Sequence, residues 1–407
     1  MKRNDILLLG LLIALVAILL TAGCNNEEMG PVDDGPALTG RSISYDMVST
    51  SNSGVSGNVV FAETASGSTL ITFSITGGSA GIMHPVHIHE NSAAVGGGVV
   101  ISLGEIDGST GMHAIEVTAT NDGMPVSYDD LLIFDGHINI HESPENIANL
   151  IAQADIGGNE LTGEHEDFDL FGIINSEVKG EANIFERKSG KTLVVINLEN
   201  DISGDAHPAH IHANTAVEGG PIVISLNPVD AITKISLTDI TARDDDTPIS
   251  YNEMKDFDGY INVHLSSGAL GTLVVQGDFG QNKLTSEEEI YDLNENSGSG
   301  ISGNVTFTKR RNNETLITIL LDGTVQDDMH PAHIHANSTT EGGSILLDLS
   351  DVNGETGLSK TQVASLNDGS PVTYDDLVQL NGHINVHLSK ENLASIIARG
   401  NIGINVQ

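Results

Sequence analysis

Residues 84–89 read HPVHIH, and nearly the same string returns as HPAHIH at residues 207–212 and again at residues 330–335. The step from His84 to His207 is 123 residues, and the step from His207 to His330 is the same. Other residues keep this register: Gly57, Gly180 and Gly303; Tyr128, Tyr251 and Tyr374; Gly157, Gly280 and Gly403. A unit of about 120 residues can bury a core of its own, unlike a solenoid repeat. The sequence therefore predicts three tandem domains, at residues 41–158, 164–281 and 287–403.

Each copy has the hydrophobic pattern of β-strands. Ile71, Phe73 and Ile75 alternate with polar residues, and this period of two places one apolar face on a core. The equivalent positions in the other copies are Val194, Ile196, Leu198, Ile317, Ile319 and Leu321. Many short strands separated by Gly, Asp and Asn favour an all-β fold. We predict three tandem Greek-key-like antiparallel β-sandwich domains with short helical insertions.

Two helical segments are predicted to interrupt the strands. Residues 127–130, Ser-Tyr-Asp-Asp, have the pattern of a helix N-cap with an acidic residue three positions later, and residues 373–376 repeat it. A second possible helix opens at Ser143-Pro144-Glu145, because proline is favoured at the first helical position. Residues 145–151 and 391–397 have a helical appearance in the first and third copies.

The composition excludes several classes of protein. Among 407 residues, 17 Lys and Arg face 56 Asp and Glu, which gives a formal net charge of −39. A chain this acidic would repel a phosphate backbone, so we expect no nucleic-acid partner. The single Cys excludes a disulfide framework and a Cys-based metal site. The hydrophobic fraction of 39% is enough for packed cores.

The first residues have the pattern of an export signal. A basic start precedes the apolar run at residues 6–20, and Thr21-Ala22-Gly23-Cys24 follows. This resembles a bacterial lipobox, which implies cleavage before Cys24 and lipidation of Cys24; the alternative is an uncleaved anchor helix. We predict a lipoprotein signal peptide at residues 1–23 and an acidic flexible tether at residues 24–40. The expected location is exported and membrane-anchored, at the cell surface or in the outer membrane or periplasm.

Histidines recur at four positions in every copy. Three lie in the HPxHxH string, and the fourth follows in a later Asn-x-His. Residues i and i+2 of a strand share a face, so His87 and His89 project together, as do Asn139 and His141. If the two strands are neighbours, three imidazoles and an amide can converge. Three imidazoles are a usual ligand set for copper or zinc, and they must be neutral to bind, so affinity should fade below about pH 6.

The predicted metal ligands are His84, His87, His89, His141, His207, His210, His212, His264, His330, His333, His335 and His387, with Asn139, Asn262 and Asn385 orienting them. The position of the His84 side chain is open. It is three residues from His87, so on a regular strand the two side chains project from opposite faces. His84 either turns into the site or bonds the backbone. His137 and His383 occupy an auxiliary position where the second copy has Tyr260. His113 and His165 do not recur and are interpreted as surface residues.

Other interpretations of the same residues are possible. Neutral histidines can form a structural hydrogen-bond network with asparagine as a bridge, or carry out proton chemistry without a metal. Acidic pairs such as Asp129-Asp130 could bind calcium between domains, although helix caps and solvated charge explain them as well.

The HPxHxH string is followed by a Gly pair and by a late G-[HY]-I-N-[IV]-H, and in these features the sequence resembles the CHRD domain of chordin and of microbial exported proteins. The resemblance implies an extracellular β-sandwich without an established enzyme activity. A fainter resemblance is to copper–zinc superoxide dismutase, since residues 87–90 and 139–142 look like its copper-binding strands. No recurring histidine could bridge copper to zinc, and a zinc loop and a disulfide are missing, so only the copper-like site is carried over.

Three functions follow as expectations. The first is an anchored lipoprotein whose domains each bind copper or zinc for sequestration or delivery. The second is an adhesive or matrix-interaction module, for which three copies on a tether suit multivalent contact. The third is a redox enzyme resembling superoxide dismutase, although binding is expected rather than catalysis. The expected partners are the membrane, through a lipid on Cys24, and an extracellular protein or matrix.

Overall fold

The fold comes from a computed structural model, which describes residues 35–50, 53–173, 177–200, 206–325 and 328–406. Each copy forms one eight-stranded antiparallel sheet, and the strand order is the same in all three copies. This confirms the predicted tandem all-β architecture. The predicted signal peptide at residues 1–23 and Cys24 lie outside the described residues. Within the described residues, no helix is long and apolar enough to cross a membrane.

The elements of the first domain are β1 (Leu38–Ser49), β2 (Ser56–Thr64), β3 (Thr69–Thr76), β4 (Met83–Glu90), β5 (Val99–Asp107), β6 (Met112–Val117), α1 (Tyr128–Leu132), β7 (Asp135–His141) and β8 (Leu150–Gly157). Those of the second are β9 (Leu161–Gly172), β10 (Lys179–Arg187), β11 (Thr192–Glu199), β12 (His207–Ala213), β13 (Ile222–Val229), β14 (Ile235–Ile240), α2 (Tyr251–Lys255), β15 (Asp258–His264) and β16 (Leu273–Gly280). Those of the third are β17 (Leu284–Glu295), β18 (Ser302–Arg310), β19 (Thr315–Asp322), β20 (Met329–Ala336), β21 (Ile345–Asn353), β22 (Leu358–Val363), α3 (Tyr374–Leu377), β23 (Asn381–His387) and β24 (Ile396–Gly403).

The first strand of each domain joins two halves of its sheet. In the first domain the order is β5-β4-β7-β8-β1-β2-β3-β6. Most of β1 pairs with β2, whereas its end at Val48 and Ser49 pairs with β8. The two halves enclose a core in which Phe61 and Phe73 of one half and Ile88 of the other are fully buried. Truncating such a phenylalanine to alanine costs about 3–5 kcal/mol, so this core holds the sandwich together.

The alternating strand and the helix cap were predicted correctly. Ile71, Phe73 and Ile75 are buried in β3, as are their counterparts in β11 and β19. The Ser127 hydroxyl accepts a hydrogen bond from the Asp130 amide, and the Asp130 side chain accepts one from the Ser127 amide, which forms a capping box at α1. Equivalent boxes precede α2 and α3.

The second predicted helix was wrong. Residues 143–149 form turns, in which the Asn146 amide donates to the Ser143 carbonyl and the Asn149 amide donates to the Asn146 carbonyl. The segment at residues 389–395 makes the same two bonds. In the turns at residues 143–149 the Ile147 carbonyl accepts a hydrogen bond from the His141 ring. In a continuous helix that carbonyl would accept a hydrogen bond from a backbone amide instead.

Successive domains follow one another with only three residues between strands. The strand β8 ends at Gly157 and β9 begins at Leu161; β16 and β17 are connected in the same way. Gly157 has φ of 59°, and a Cβ there would lie 2.3 Å from the Phe134 carbonyl oxygen, so this turn requires glycine. At the other end, β1 begins at Leu38, inside the segment predicted as a tether at residues 24–40.

A buried arginine ties the second domain to the first, and another ties the third domain to the second. The Arg187 side chain is fully buried, and its Nε donates to Asp239 of its own domain at 2.7 Å. Its Nη1 donates to Asp155 of the first domain at 2.7 Å and also to the Asn159 carbonyl oxygen. Arg310 contacts Asp278 and the Asn282 carbonyl in the same manner. The first copy has Thr64 at this position, where no domain precedes it within the described residues.

Candidate metal centre

The paired histidines and the late histidine lie on neighbouring strands. In the first domain β4 pairs with β7, with His87 opposite Asn139 and His89 opposite His137. The intervening residues of both strands, such as Ile88, point into the core, so the histidines point to the outer face of the sheet. The loops at residues 91–98 and 142–149 cover this face, which leaves His141 only 5% exposed.

Three imidazole nitrogens converge in every domain. One ring nitrogen from each of His87, His89 and His141 lies within 4.8 Å of the other two. The Nδ1 of His87 is 3.0 Å from the Nε2 of His141. The corresponding groups are His210, His212 and His264 in the second domain and His333, His335 and His387 in the third. The predicted convergence is therefore confirmed in all three copies, and we call each group a histidine triad.

Backbone carbonyls determine which nitrogen faces the centre of a triad. The Nδ1 of His141 donates to the Ile147 carbonyl at 2.5 Å, and the Nδ1 of His89 donates to the Gly97 carbonyl at 3.0 Å. Because a carbonyl can only accept, Nδ1 of both rings carries the proton and Nε2 is a lone-pair acceptor. Equivalent bonds run from His264 to Leu270, from His387 to Leu393, from His212 to Gly220 and from His335 to Gly343.

Most of the converging nitrogens have no hydrogen-bond partner. In the third domain all three are buried and unpaired: Nδ1 of His333, Nε2 of His335 and Nε2 of His387. The same holds for Nδ1 of His210, Nε2 of His264 and Nε2 of His89. A buried polar atom without a partner costs about 1–3 kcal/mol. In the first domain His87 Nδ1 donates to His141 Nε2 at 3.0 Å, so there only Nε2 of His89 is without a partner. A cation among them would satisfy all three, and three nitrogens with an open fourth position fit copper or zinc.

Burial keeps the triads in the form that binds metal. It lowers the pKa of His87 below the ordinary value of 6.5, and the neighbouring imidazoles His141 and His89 lower it further. Burial likewise lowers the pKa of five other triad members: His141, His210, His264, His333 and His387. Neutral imidazole is the ligand form, so these rings are ready to coordinate at neutral pH.

The first histidine of each string is not among the converging nitrogens. The Nδ1 of His84 donates to the Glu142 carbonyl at 2.7 Å, and its Nε2 accepts the Ser79 amide at 3.2 Å. His207 donates to the Leu265 carbonyl and His330 to the Leu388 carbonyl, at 2.8 and 2.9 Å. The sequence left two positions open for this histidine, in the site or bonded to the backbone. In all three domains it bonds the backbone, so His84, His207 and His330 are not in the groups of converging nitrogens. These histidines connect β4, β12 and β20 to the residue that follows the late histidine.

The asparagines are fixed from the next strand. The Asn139 Oδ1 accepts from Gln153 at 2.8 Å, and Asn262 accepts from Gln276 at the same distance. In the third domain Arg399 replaces this glutamine, and the Asn385 Oδ1 is buried without a partner. The backbone carbonyls hold Nδ1 of the rings. The asparagine amide contacts a ring Nε2 at 3.4 Å, that of His212 in the second domain and that of His383, outside the triad, in the third.

The glycines that supply the loop carbonyls are not among the residues predicted from the sequence. Gly97 supplies the carbonyl for His89, and a Cβ on it would lie 2.3 Å from the Glu90 carbonyl oxygen. Gly220 and Gly343 have the same role and the same constraint in the other domains. The signal was available, because a glycine recurs eight residues after the second paired histidine in every copy.

The remaining predicted residues lie elsewhere. His113 Nε2 bonds the Leu103 carbonyl at 2.6 Å, and His165 is exposed, so neither reaches a triad. Asp130 caps α1, and Asp129 pairs with Arg41 at 2.6 Å, which fits the interpretation as cap and solvated charge rather than calcium ligands.

Comparisons with known proteins add little to this picture. No family model and no curated protein matches the chain. A solved structure described as "Biofilm associated protein - BSP domain" is similar at 10% identity, over 96% of this chain and 85% of that chain, with a TM-score of 0.14. That score is too low to support an argument about fold or function.

Proposed function

We propose that each of the three domains binds one copper or zinc ion through its histidine triad, and that the protein sequesters or delivers these ions. The observation that carries the proposal is the set of buried ring nitrogens that face one another without a partner. In the first domain Nδ1 of His87 and Nε2 of His89 and His141 would hold the ion. On binding, each of these nitrogens would donate its lone pair to the ion.

The surroundings of the triads support uptake and release. The carbonyls of Gly97 and Ile147 hold the rings in position before an ion arrives, so little side-chain ordering is needed on binding. His87 is only partly buried, which leaves a route to solvent on one side. The net charge of −39 raises the local concentration of cations around the chain.

The proposed setting is the outside of a cell. The basic start, the apolar run at residues 6–20 and the single Cys24 support export and lipid anchoring. The CHRD-like strings support an extracellular role in the same way. Labelling of the expressed chain with a radioactive fatty acid, and its loss in Cys24→Ser, would test the anchor directly.

Metal analysis of the purified chain tests the central part of the proposal. After loading with copper or zinc and exhaustive dialysis, we expect three ions per chain. The double variant His87→Ala with His89→Ala should retain two, and the exposed His165→Ala should retain all three. Fewer than one tightly bound ion per chain, or no change in the double variant, would overturn the proposal.

A second candidate is an adhesive module in which the histidines are structural. The bonds from ring Nδ1 atoms to loop carbonyls favour it, because they tie loops 91–98 and 142–149 to the sheet without any ion. In that case His141→Ala should lower the stability of the metal-free chain by several kcal/mol, and added metal should not raise the melting temperature of the native protein. A metal centre predicts a clear rise on loading.

A further inference from the structure

The loop at residues 91–98 connects the first triad to the arginine junction. Near one end of the loop, the Gly97 carbonyl accepts a hydrogen bond from Nδ1 of His89 at 3.0 Å. Near the other end, the Ala93 amide donates to Oδ1 of Asp155 at 2.7 Å. The same loop therefore holds a ligand ring and rests on a carboxylate of the junction.

Hydrogen bonds inside the loop join its two ends. The Gly96 amide donates to the Ser92 carbonyl at 2.8 Å, and the Asn91 side chain donates to the Gly96 carbonyl at 3.0 Å. These bonds close the start of the loop into a compact turn directly before Gly97. The position of the carbonyl that holds His89 therefore follows the position of the whole loop.

The carboxylates beneath the loop are the two that bind the arginine of the next domain. Oδ2 of Asp155 accepts Nη1 of Arg187, and Oδ1 of Asp239 accepts Nε of Arg187, both at 2.7 Å. The other oxygen of Asp239 accepts the Ser92 hydroxyl. Without the guanidinium, the two carboxylates would lack their counter-charge and repel each other. Their separation would withdraw the acceptors from Ser92 and Ala93.

The second junction has the same connection. Oδ1 of Asp278 accepts the Ala216 amide at 2.8 Å, and Oδ2 accepts Nη1 of Arg310 at 2.7 Å. The loop that begins here supplies the Gly220 carbonyl to Nδ1 of His212, at 3.0 Å. A link from the arginine of one domain to the triad of the domain before it is therefore present twice.

The third domain holds its loop without an arginine. Asn401 occupies the position of these aspartates, and its Oδ1 accepts the Thr339 amide at 2.8 Å. Its Nδ2 donates to the Asn405 carbonyl at 3.3 Å. The corresponding carbonyls, of Asn159 and Asn282, accept Nη1 of the next domain's arginine instead. A neutral amide thus makes both bonds that elsewhere require an aspartate and an arginine.

On the basis of the proposed metal site, we propose that Arg187 and Arg310 are positioning residues for the metal sites of the first and second domains, whereas the third site is independent of a junction. Docking of the next domain fixes the loop that orients a ligand ring. Partners that orient a metal ligand change metal affinity about 10–100-fold when they are removed. We expect the lower end of this range, because the arginine acts through a further residue.

The test measures zinc affinity in full-length chains that keep one triad. The first-site chain loses the other two triads through alanine substitutions at His210, His264, His333 and His387. The second-site chain loses the others through alanine substitutions at His87, His141, His333 and His387. Competition with a zinc chelator of known affinity then gives one affinity for each chain.

The two arginines are matched controls for each other. Arg187→Met should lower the zinc affinity of the first-site chain about 10-fold and leave the second-site chain unchanged, although this arginine belongs to the second domain. Arg310→Met should do the reverse. Each chain should still take up one ion at saturating zinc, since its triad is intact. Equal losses in both chains would indicate general destabilisation and overturn the inference, as would no loss in either chain.

The residue of the third domain provides a rescue. Arg187→Met with Asp155→Asn gives the first domain the amide that Asn401 supplies in the third, and it removes the repulsion between the carboxylates. This double variant should restore most of the zinc affinity of the first-site chain. An undiminished loss would overturn the role assigned to the arginine.

Hydrogen exchange tests the link without any triad substitution. In the metal-free Arg187→Met chain the Ala93 amide should exchange faster than in the unmodified chain, whereas the exchange of the Thr339 amide should not change. An unchanged Ala93 amide would overturn the inference and leave the metal proposal standing. An unmodified chain that binds no zinc would overturn the proposed function and the inference with it.

Discussion

The arginine junction and the histidine triad are both buried polar clusters, and both contain nitrogens without a hydrogen-bond partner, but only the junction contains opposite charges. At the junction the Arg187 guanidinium meets Asp155 and Asp239, so opposite charges compensate each other. In the triads the buried groups are uncharged ring nitrogens, and six of the nine have no hydrogen-bond partner. The comparison separates two kinds of cluster: the junction contains its own counter-charge, whereas the triads, under the proposed function, receive theirs from a bound cation.

The largest expected effect is on the junction. Arg187→Met would leave two carboxylates without their cation, and the Asp239 side chain is only 5% exposed. Removing one partner of a buried ion pair costs about 3–5 kcal/mol. Urea unfolding of the unmodified chain and of the variant, followed by circular dichroism, would measure the loss. Metal content should be unchanged.

Lys188→Ala is the matched control for this variant, because Lys188 makes an exposed ion pair with Glu160 at the same junction. An exposed pair is worth about 0–1 kcal/mol. Equal losses for the two variants would mean that the buried arginine does not join the domains in the way the contacts indicate.

The next effect is on metal affinity. His210→Ala with His264→Ala should abolish the second-domain site and lower its affinity by more than about 100-fold, since residues that only support a ligand are worth about 10–100-fold. Competition with a chelator of known affinity would measure it. Because the junction contacts remain, unfolding of the metal-free variant should not show the loss expected for Arg187→Met.

A smaller effect on metal affinity is expected from the glutamine side chain that donates to the asparagine, Gln153 to Asn139 in the first domain. Gln153→Ala removes the donor to Asn139 and should weaken metal binding in the first domain by about 10-fold. Gln276→Ala should do the same in the second domain. The third domain has Arg399 at this position and provides an internal control, so its affinity should not respond to either change. An equal decrease at all three sites would contradict the local role of this bond.

The smallest effect concerns pH. The pKa of His87 and of His141 is lowered in the fold, so the folded chain binds fewer protons than the unfolded chain. The stability that these rings contribute is present above the ordinary pKa of 6.5 and is lost as the pH falls below it toward the lowered values. Melting temperatures of the metal-free chain should therefore fall between about pH 7 and pH 5, and His87→Gln should reduce this dependence.

Much of the site could be predicted because it rests on local rules. The i, i+2 spacing of His87 and His89 and the repeat of Asn139-x-His141 require only that the two strands pair. The loop carbonyls could not be predicted in this way, since the turns at residues 143–149 looked helical and only the fold shows that Ile147 faces a ring. The junction was missed although Arg187 and Arg310 recur with the period of the repeats, because nothing local reveals that a charge is buried against the preceding domain.

The most direct test of the account is a crystal structure of the zinc-loaded chain with anomalous data at the zinc edge. We expect one zinc peak at the centre of each triad, bonded at about 2.0–2.1 Å by Nδ1 of His87 and Nε2 of His89 and His141, and by their counterparts in the other domains. Zinc bound only at surface carboxylates, with the three triads free of anomalous density, would contradict it.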